Sequence, residues 1–144
     1  MKKSVLASVF LMVFLLLLAA CDSKTGTDKS VLTGKTIKTV PVGNLTVKLS
    51  NDSGVLKHGK QELILSVTDA SGKPSDVGAV SLNFYMPQMG SMEAMNDAVT
   101  FTTTNTPGTY RGKVDIEVGG EWQAQLAYEG PAGKGQRTFS VTAQ

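Results

Sequence analysis

From Asn44 onward the chain alternates apolar and polar residues with a period of two. Leu45, Val47 and Leu49 alternate with Thr46, Lys48 and Ser50, the spacing of a strand with one buried face. Leu63, Leu65 and Val67 repeat it against Glu62, Ile64 and Ser66. Residues 78–86 carry Val80, Leu82 and Phe84 on one face, and Val99 and Phe101 alternate with threonines. Tyr110, Gly112, Val114 and Ile116 form a fifth set; Trp122, Ala124, Leu126 and Tyr128 a sixth; Phe139 and Val141 mark a seventh. Reversal chemistry separates these runs at Asp69-Ala70-Ser71-Gly72-Lys73-Pro74, Asn105-Thr106-Pro107-Gly108, Gly119-Gly120 and Gly130-Pro131-Ala132-Gly133. No stretch after residue 21 carries a convincing helical period. Seven short strands at this spacing predict an all-β domain over residues 44–144, an immunoglobulin-like antiparallel β-sandwich.

The chain begins differently. Lys2 and Lys3 precede a nearly all-apolar run from Val5 to Ala20, slightly short for a membrane span of about 20 residues. The junction Leu18-Ala19-Ala20-Cys21 resembles the lipobox of bacterial lipoproteins. That resemblance implies a signal peptide over residues 1–20, cleavage before Cys21, and attachment to a lipid bilayer through the acylated Cys21. An uncleaved anchor helix ending in a cysteine is the alternative. Several acyl chains hold a protein firmly where one holds it weakly. The expected location is the cell envelope, facing the periplasm or exterior, and Asp22 after the cysteine, which resembles the signal that keeps some Gram-negative lipoproteins at the inner membrane, slightly favours that membrane. Residues 22–43 read as a tether, small or charged and without sustained periodicity, so that 21–43 is expected to be lipidated cysteine plus linker.

Charge and cysteine then narrow the function. The precursor carries 14 Lys and Arg against 12 Asp and Glu, and losing Lys2 and Lys3 leaves 12 of each. A balanced surface gives no reason to expect nucleic acid as a partner. Cys21 is the single cysteine, so once it is acylated disulfides and thiolate chemistry are excluded.

The chain has six methionines, and four of them, Met86, Met89, Met92 and Met95, lie within ten residues. They gather beside Pro87, Gly90 and Ser91, where a loop is expected, although methionine ordinarily serves as scattered core filler. A thioether is a neutral, polarisable donor that suits Cu(I) or Ag(I) and suits zinc, calcium or magnesium poorly. It needs no deprotonation before binding. In an irregular loop this spacing lets three sulfurs converge on one ion, and those of Met86, Met89 and Met92 are expected to meet at one exposed point. The competing readings are a methionine-lined hydrophobic plug, a greasy contact for another protein, or a short amphipathic helix. Strand parity adds a location. If consecutive strands run antiparallel, the links holding His58, the methionine loop and Gly119-Gly120 emerge at one end. The only histidine, His58, is therefore a candidate fifth ligand, and a solvated surface residue otherwise. Trp122 begins near that end and reads as a core anchor before it reads as a cation–π lid. Glu93 inside the loop reads as a solvated carboxylate before it reads as a neutraliser of a bound cation.

Pro107-Gly108-Thr109-Tyr110-Arg111-Gly112 followed by Gly119-Gly120-Glu121-Trp122 resembles the closing half of YtkA-like and FixH-like extracytoplasmic domains, and Asp69 to Pro74 and Met86-Pro87-Gln88-Met89 also fit the YtkA-like pattern. The resemblance spans roughly residues 44–143. It implies an immunoglobulin-like sandwich associated with copper handling or metal-efflux machinery, with a copper-transport or efflux protein as partner. Carried over by residue, the Met-Pro-x-Met segment falls on Met86, Pro87 and Met89, and Met92 and Met95 extend it. Relatives often place histidines in this loop; their absence here favours Cu(I) over Cu(II). Two functions stay in view: a Cu(I) or Ag(I) chaperone, buffer or efflux accessory, and a non-metal interaction module of an envelope complex. An enzyme is not expected, since one histidine, no free thiol, and no Gly-x-Ser-x-Gly or phosphate-cradling loop are present.

Overall fold

A computed structural model describes residues 34–144. The expected signal peptide, Cys21, Asp22 and the first part of the expected tether lie outside the described residues. Eight strands follow one another: β1 (Lys35–Val42), β2 (Leu45–Asn51), β3 (Gly59–Thr68), β4 (Ala79–Met86), β5 (Met95–Thr103), β6 (Thr109–Ile116), β7 (Gly120–Gly130) and β8 (Gly133–Ala143). All pair antiparallel, in the order β1-β2-β3-β6-β5-β4-β7-β8. The seven strands expected from periodicity are β2 to β8, and no helix occurs among the described residues.

One expectation needs correcting. Residues 35–42, assigned to the tether, form β1, with Val40 and Val42 buried against β2. The alternation is hidden there because the register slips between Thr36 and Lys38, which shifts the buried parity part-way along the strand. Pro41 also argues against a strand in sequence, but β1 is an edge strand that pairs only with β2, where proline is tolerated.

The eight strands make two faces of a sandwich joined at β5. Its first part, through Val99, pairs with β4; its second part, Thr100 to Thr103, pairs with β6. A strand that changes partner half-way turns the corner between the two faces. Gly112 makes the crossing possible: a Cβ there would lie 2.4 Å from Val99 Cγ1 and 2.7 Å from the Phe101 ring. The inward parity of every strand meets between the faces in one cluster that includes Leu49, Leu65, Leu82, Phe84, Ile116 and Trp122. At the open side, between β1 and β8, Leu56 is fully buried and bridges in parallel to Ala143, so the fold is nearly a closed barrel. All eight strands and this whole cluster lie within residues 35–143, so this part carries a complete core of its own.

Candidate functional site

The methionine segment is a tight hairpin. β4 ends at Met86 because Pro87 has no N–H to continue the ladder. The chain reverses at Gly90-Ser91, where Met89 N–H donates to Met92 O at 3.2 Å and Met92 N–H donates to Met89 O at 3.0 Å. Gly90 has φ +59° and no non-glycine residue among the described residues has a positive φ, the pattern of a type II′ two-residue turn. Met89 and Met92 are therefore directly opposed. Side chains of such a pair leave one face with Cβ atoms about 5 Å apart, within reach of two flexible thioether arms. Both are open to solvent, Met89 by 53% and Met92 by 42%, and they are the exposed large hydrophobics of the described residues.

Met86 and Met95 also face each other, at the root of the hairpin. Their surroundings differ. Met86 is 1% exposed, and Met95 is half-buried against the same core. Met86 lies under the β6–β7 link: a Cβ on Gly120 would come 3.2 Å from its Cε. The expectation that Met86, Met89 and Met92 meet at one exposed point is thus corrected. Met86 continues the inward parity of Leu82 and Phe84, so its sulfur is core packing. Asp97 steadies the same root from β5. It is a buried carboxylate whose Oδ2 accepts the Glu117 N–H at 3.1 Å, tying β5 to the β6–β7 link.

Strand directions place the links after β2, β4 and β6 at one end, as parity predicted. His58 is at that end and exposed, but it belongs to the β8 side: its N–H donates to Gln144 O at 2.8 Å. In sheet order β7 separates β8 from β4, a lateral offset of about 10 Å from the strand that carries the hairpin. The backbone of His58 is thus joined to the chain end that follows β8, two strand spacings from the strand that carries the hairpin. Asn51, which the sequence reading passed over, shapes this link. Its buried amide donates to Val55 O at 2.6 Å, and its Oδ1 accepts from Gly54 N–H at 2.7 Å. Trp122 is fully buried, with Nε1 donating to Val118 O at 3.1 Å, and is the core anchor expected. Glu93 is exposed in the hairpin.

Among the described residues, no three His, Cys, Asp or Glu side chains come together as a metal-holding group. A groove of about 380 Å³ between β1 and β8 has Lys38 and Glu121 as its charged lining and is otherwise lined by aliphatic, glycine and hydroxyl residues. The exposed thioether pair is the feature with distinct chemistry.

The opposite end is held by other residues. Tyr110 Oη donates to Asp76 Oδ1 at 3.1 Å and accepts from the Val77 N–H at 3.1 Å. Burial raises the Tyr110 phenol above its ordinary value, the nearby Asp76 carboxylate adds to the rise, and the Val77 N–H opposes it. Gly108, with φ +70°, packs so closely that a Cβ would fall 2.6 Å from Ser75 O. Asp69 shapes the β3–β4 reversal. Its carboxyl is held below the usual range, chiefly by the Ser71 hydroxyl and the Lys73 N–H.

The sequence profile of the YtkA-like family matches residues 39–127 of this fold. The chain belongs to the YtkA-like family. The match runs from β1 to the middle of β7 and includes the methionine hairpin, and membership points to an extracytoplasmic accessory domain. No curated protein and no solved structure matches the chain. Within this YtkA-like domain, the Pro-Gly-Thr-Tyr and Gly-Gly-Glu-Trp segments that carry the resemblance are fold-holding: Gly108 and Tyr110 pin one end, while at the other Gly120 covers Met86 and Trp122 is tied to Val118.

Proposed function

We propose that this YtkA-like domain captures Cu(I) or Ag(I) between the thioethers of Met89 and Met92, as a copper chaperone, buffer or efflux accessory. One observation carries the reading: two soft, neutral donors stand opposed across a two-residue turn and stay in solvent, while the other two methionines of the cluster are used in packing. Thioethers select soft monovalent ions and leave hard cations unbound. A pair of weak donors holds an ion loosely, which suits passing cargo to a partner. The lipobox-like junction at Cys21 supports a role on an envelope membrane, with the partner a copper-transport or efflux protein. No catalytic step belongs to this reading.

Cu(I) titration of residues 22–144 against a competing chelator tests it, with X-ray absorption counting sulfur neighbours. Binding is expected for the unaltered sequence and for Met86→Leu, and is expected to be lost when Met89 and Met92 both become leucine. A ligand that binds only the folded chain raises its melting temperature by mass action, so copper stabilises only the first two. The exposed apolar tip also favours a second reading, a contact for another envelope protein, since methionine surfaces adapt to varied partners. Under that reading none of the variants responds to copper.

A further inference from the structure

Resting on the Cu(I) and Ag(I) reading, we infer that one ion bridges two copies of this chain, each supplying Met89 and Met92. The donors within one chain are too few. A closed-shell ion such as Cu(I) or Ag(I) accepts up to four ligands, and soft ions take thioether in preference to water or carboxylate. One hairpin offers two. Met86 is sealed beneath Gly120, Met95 packs on the core at the hairpin root, and the His58 backbone is fixed at the β8 side, two strand spacings from the hairpin strand. The site is half complete within one chain.

The tip is shaped for a second tip. A Cβ on Gly90 would meet nothing within 4 Å, and Gln88, Ser91 and Glu93 are all exposed, so no part of the fold shields the pair. Two copies related by a two-fold axis through the ion present the same patch to each other and give four sulfurs around one cation. Glu93 is the charged residue of the tip. Without an ion, two Glu93 carboxylates repel; with one, a central positive charge offsets them. A stable protein interface buries about 1,200–2,000 Å²; two hairpin tips meeting through Gln88 to Glu93 do not rest on such a surface, so the pair forms with the ion and separates without it.

The test is silver titration of residues 22–144, followed by calorimetry for stoichiometry and by sedimentation velocity for mass. The expected result is one Ag(I) per two chains and a doubled mass near half an equivalent. The mass should fall back to that of the monomer when a chelator is added or when excess silver loads each tip separately. In the Met89→Leu, Met92→Leu double variant neither binding nor doubling should occur. Binding at one ion per chain with monomer mass throughout overturns the bridge and leaves the proposed metal function standing. No silver binding overturns both. Silver-driven doubling that persists in the double variant also overturns the bridge, because the shared donors then lie elsewhere.

Discussion

Replacing Tyr110 with phenylalanine removes one hydroxyl and tests how the end of the sandwich away from the methionines is held. The ring can stay where it is, so packing is preserved, but two hydrogen bonds are lost, to Asp76 Oδ1 and from the Val77 N–H. They are unequal. Asp76 is exposed and regains water, whereas Val77 is fully buried and its N–H is left without an acceptor. An orphaned buried donor costs about 1–3 kcal/mol, so the loss centres near ~2 kcal/mol. For a folded unit of this size that corresponds to a melting-temperature drop of about 8 °C. The single, fully buried Trp122 reports unfolding by fluorescence in urea or heat. The pH dependence is a second readout. Burial raises the Tyr110 pKa in the native state, so as pH climbs above about 10 the unfolded chain gives up this proton first. Native protein then holds more protons, and stability falls until the folded pKa is passed. Tyr110→Phe should lose this part of the alkaline decline. A variant with unchanged melting temperature and the same alkaline slope would refute the reasoning, since Val77 must then find another acceptor.

Gly108→Ala should cost more than a positive φ alone explains. Left-handed backbone costs a non-glycine residue about 1–2 kcal/mol, and the added methyl also meets Ser75 and Val67 backbone atoms at 2.6–2.8 Å, so about 3–4 kcal/mol is expected by urea denaturation. Gly43→Ala, with φ +63° and nothing within 4 Å, is the control and should lose only about 1 kcal/mol; equal losses would remove the clash from the argument. Hydrogen peroxide, which transfers one oxygen to a thioether and leaves as water, should convert Met89 and Met92 to sulfoxides first and Met86 last. Fragmentation mass spectrometry of the peptide spanning the hairpin orders them, and early oxidation of Met86 would contradict its burial.

Most strands were legible because one rule, period-two burial, acts residue by residue and needs no knowledge of partners. β1 was not, because a register slip is set by pairing with β2, which the sequence does not display. The topological placement of the three links at one end was also legible, since antiparallel alternation alone decides it. The lateral position of His58 was not, because consecutive strands β6 and β7 lie in different faces and β8 captures the histidine link through Gln144. The burial of Met86 could have been read: it extends the parity of Leu82 and Phe84. The clustering of methionines at intervals of three outweighed that signal. Gly90-Ser91 was the cue for a two-residue II′ turn, the feature that decides which sulfurs share a face.

The hairpin register divides one methionine cluster into two pairs with different physics. On an extended strand an interval of three changes faces, so Met86 and Met89 diverge; the turn at Gly90-Ser91 then sets Met92 opposite Met89. The root pair faces the core and the tip pair faces water, although all four residues are chemically identical. This division makes the leucine substitutions informative. Met86→Leu is a near volume-conserving core exchange expected to cost under about 1.5 kcal/mol, while exposed Met89→Leu and Met92→Leu should change stability by no more than about 0.5 kcal/mol each. Loss of metal binding in the tip variants therefore cannot be ascribed to unfolding. Retention of binding in Met86→Leu, despite a larger perturbation of the fold, would separate the donors from the residue that only positions the hairpin beneath Gly120.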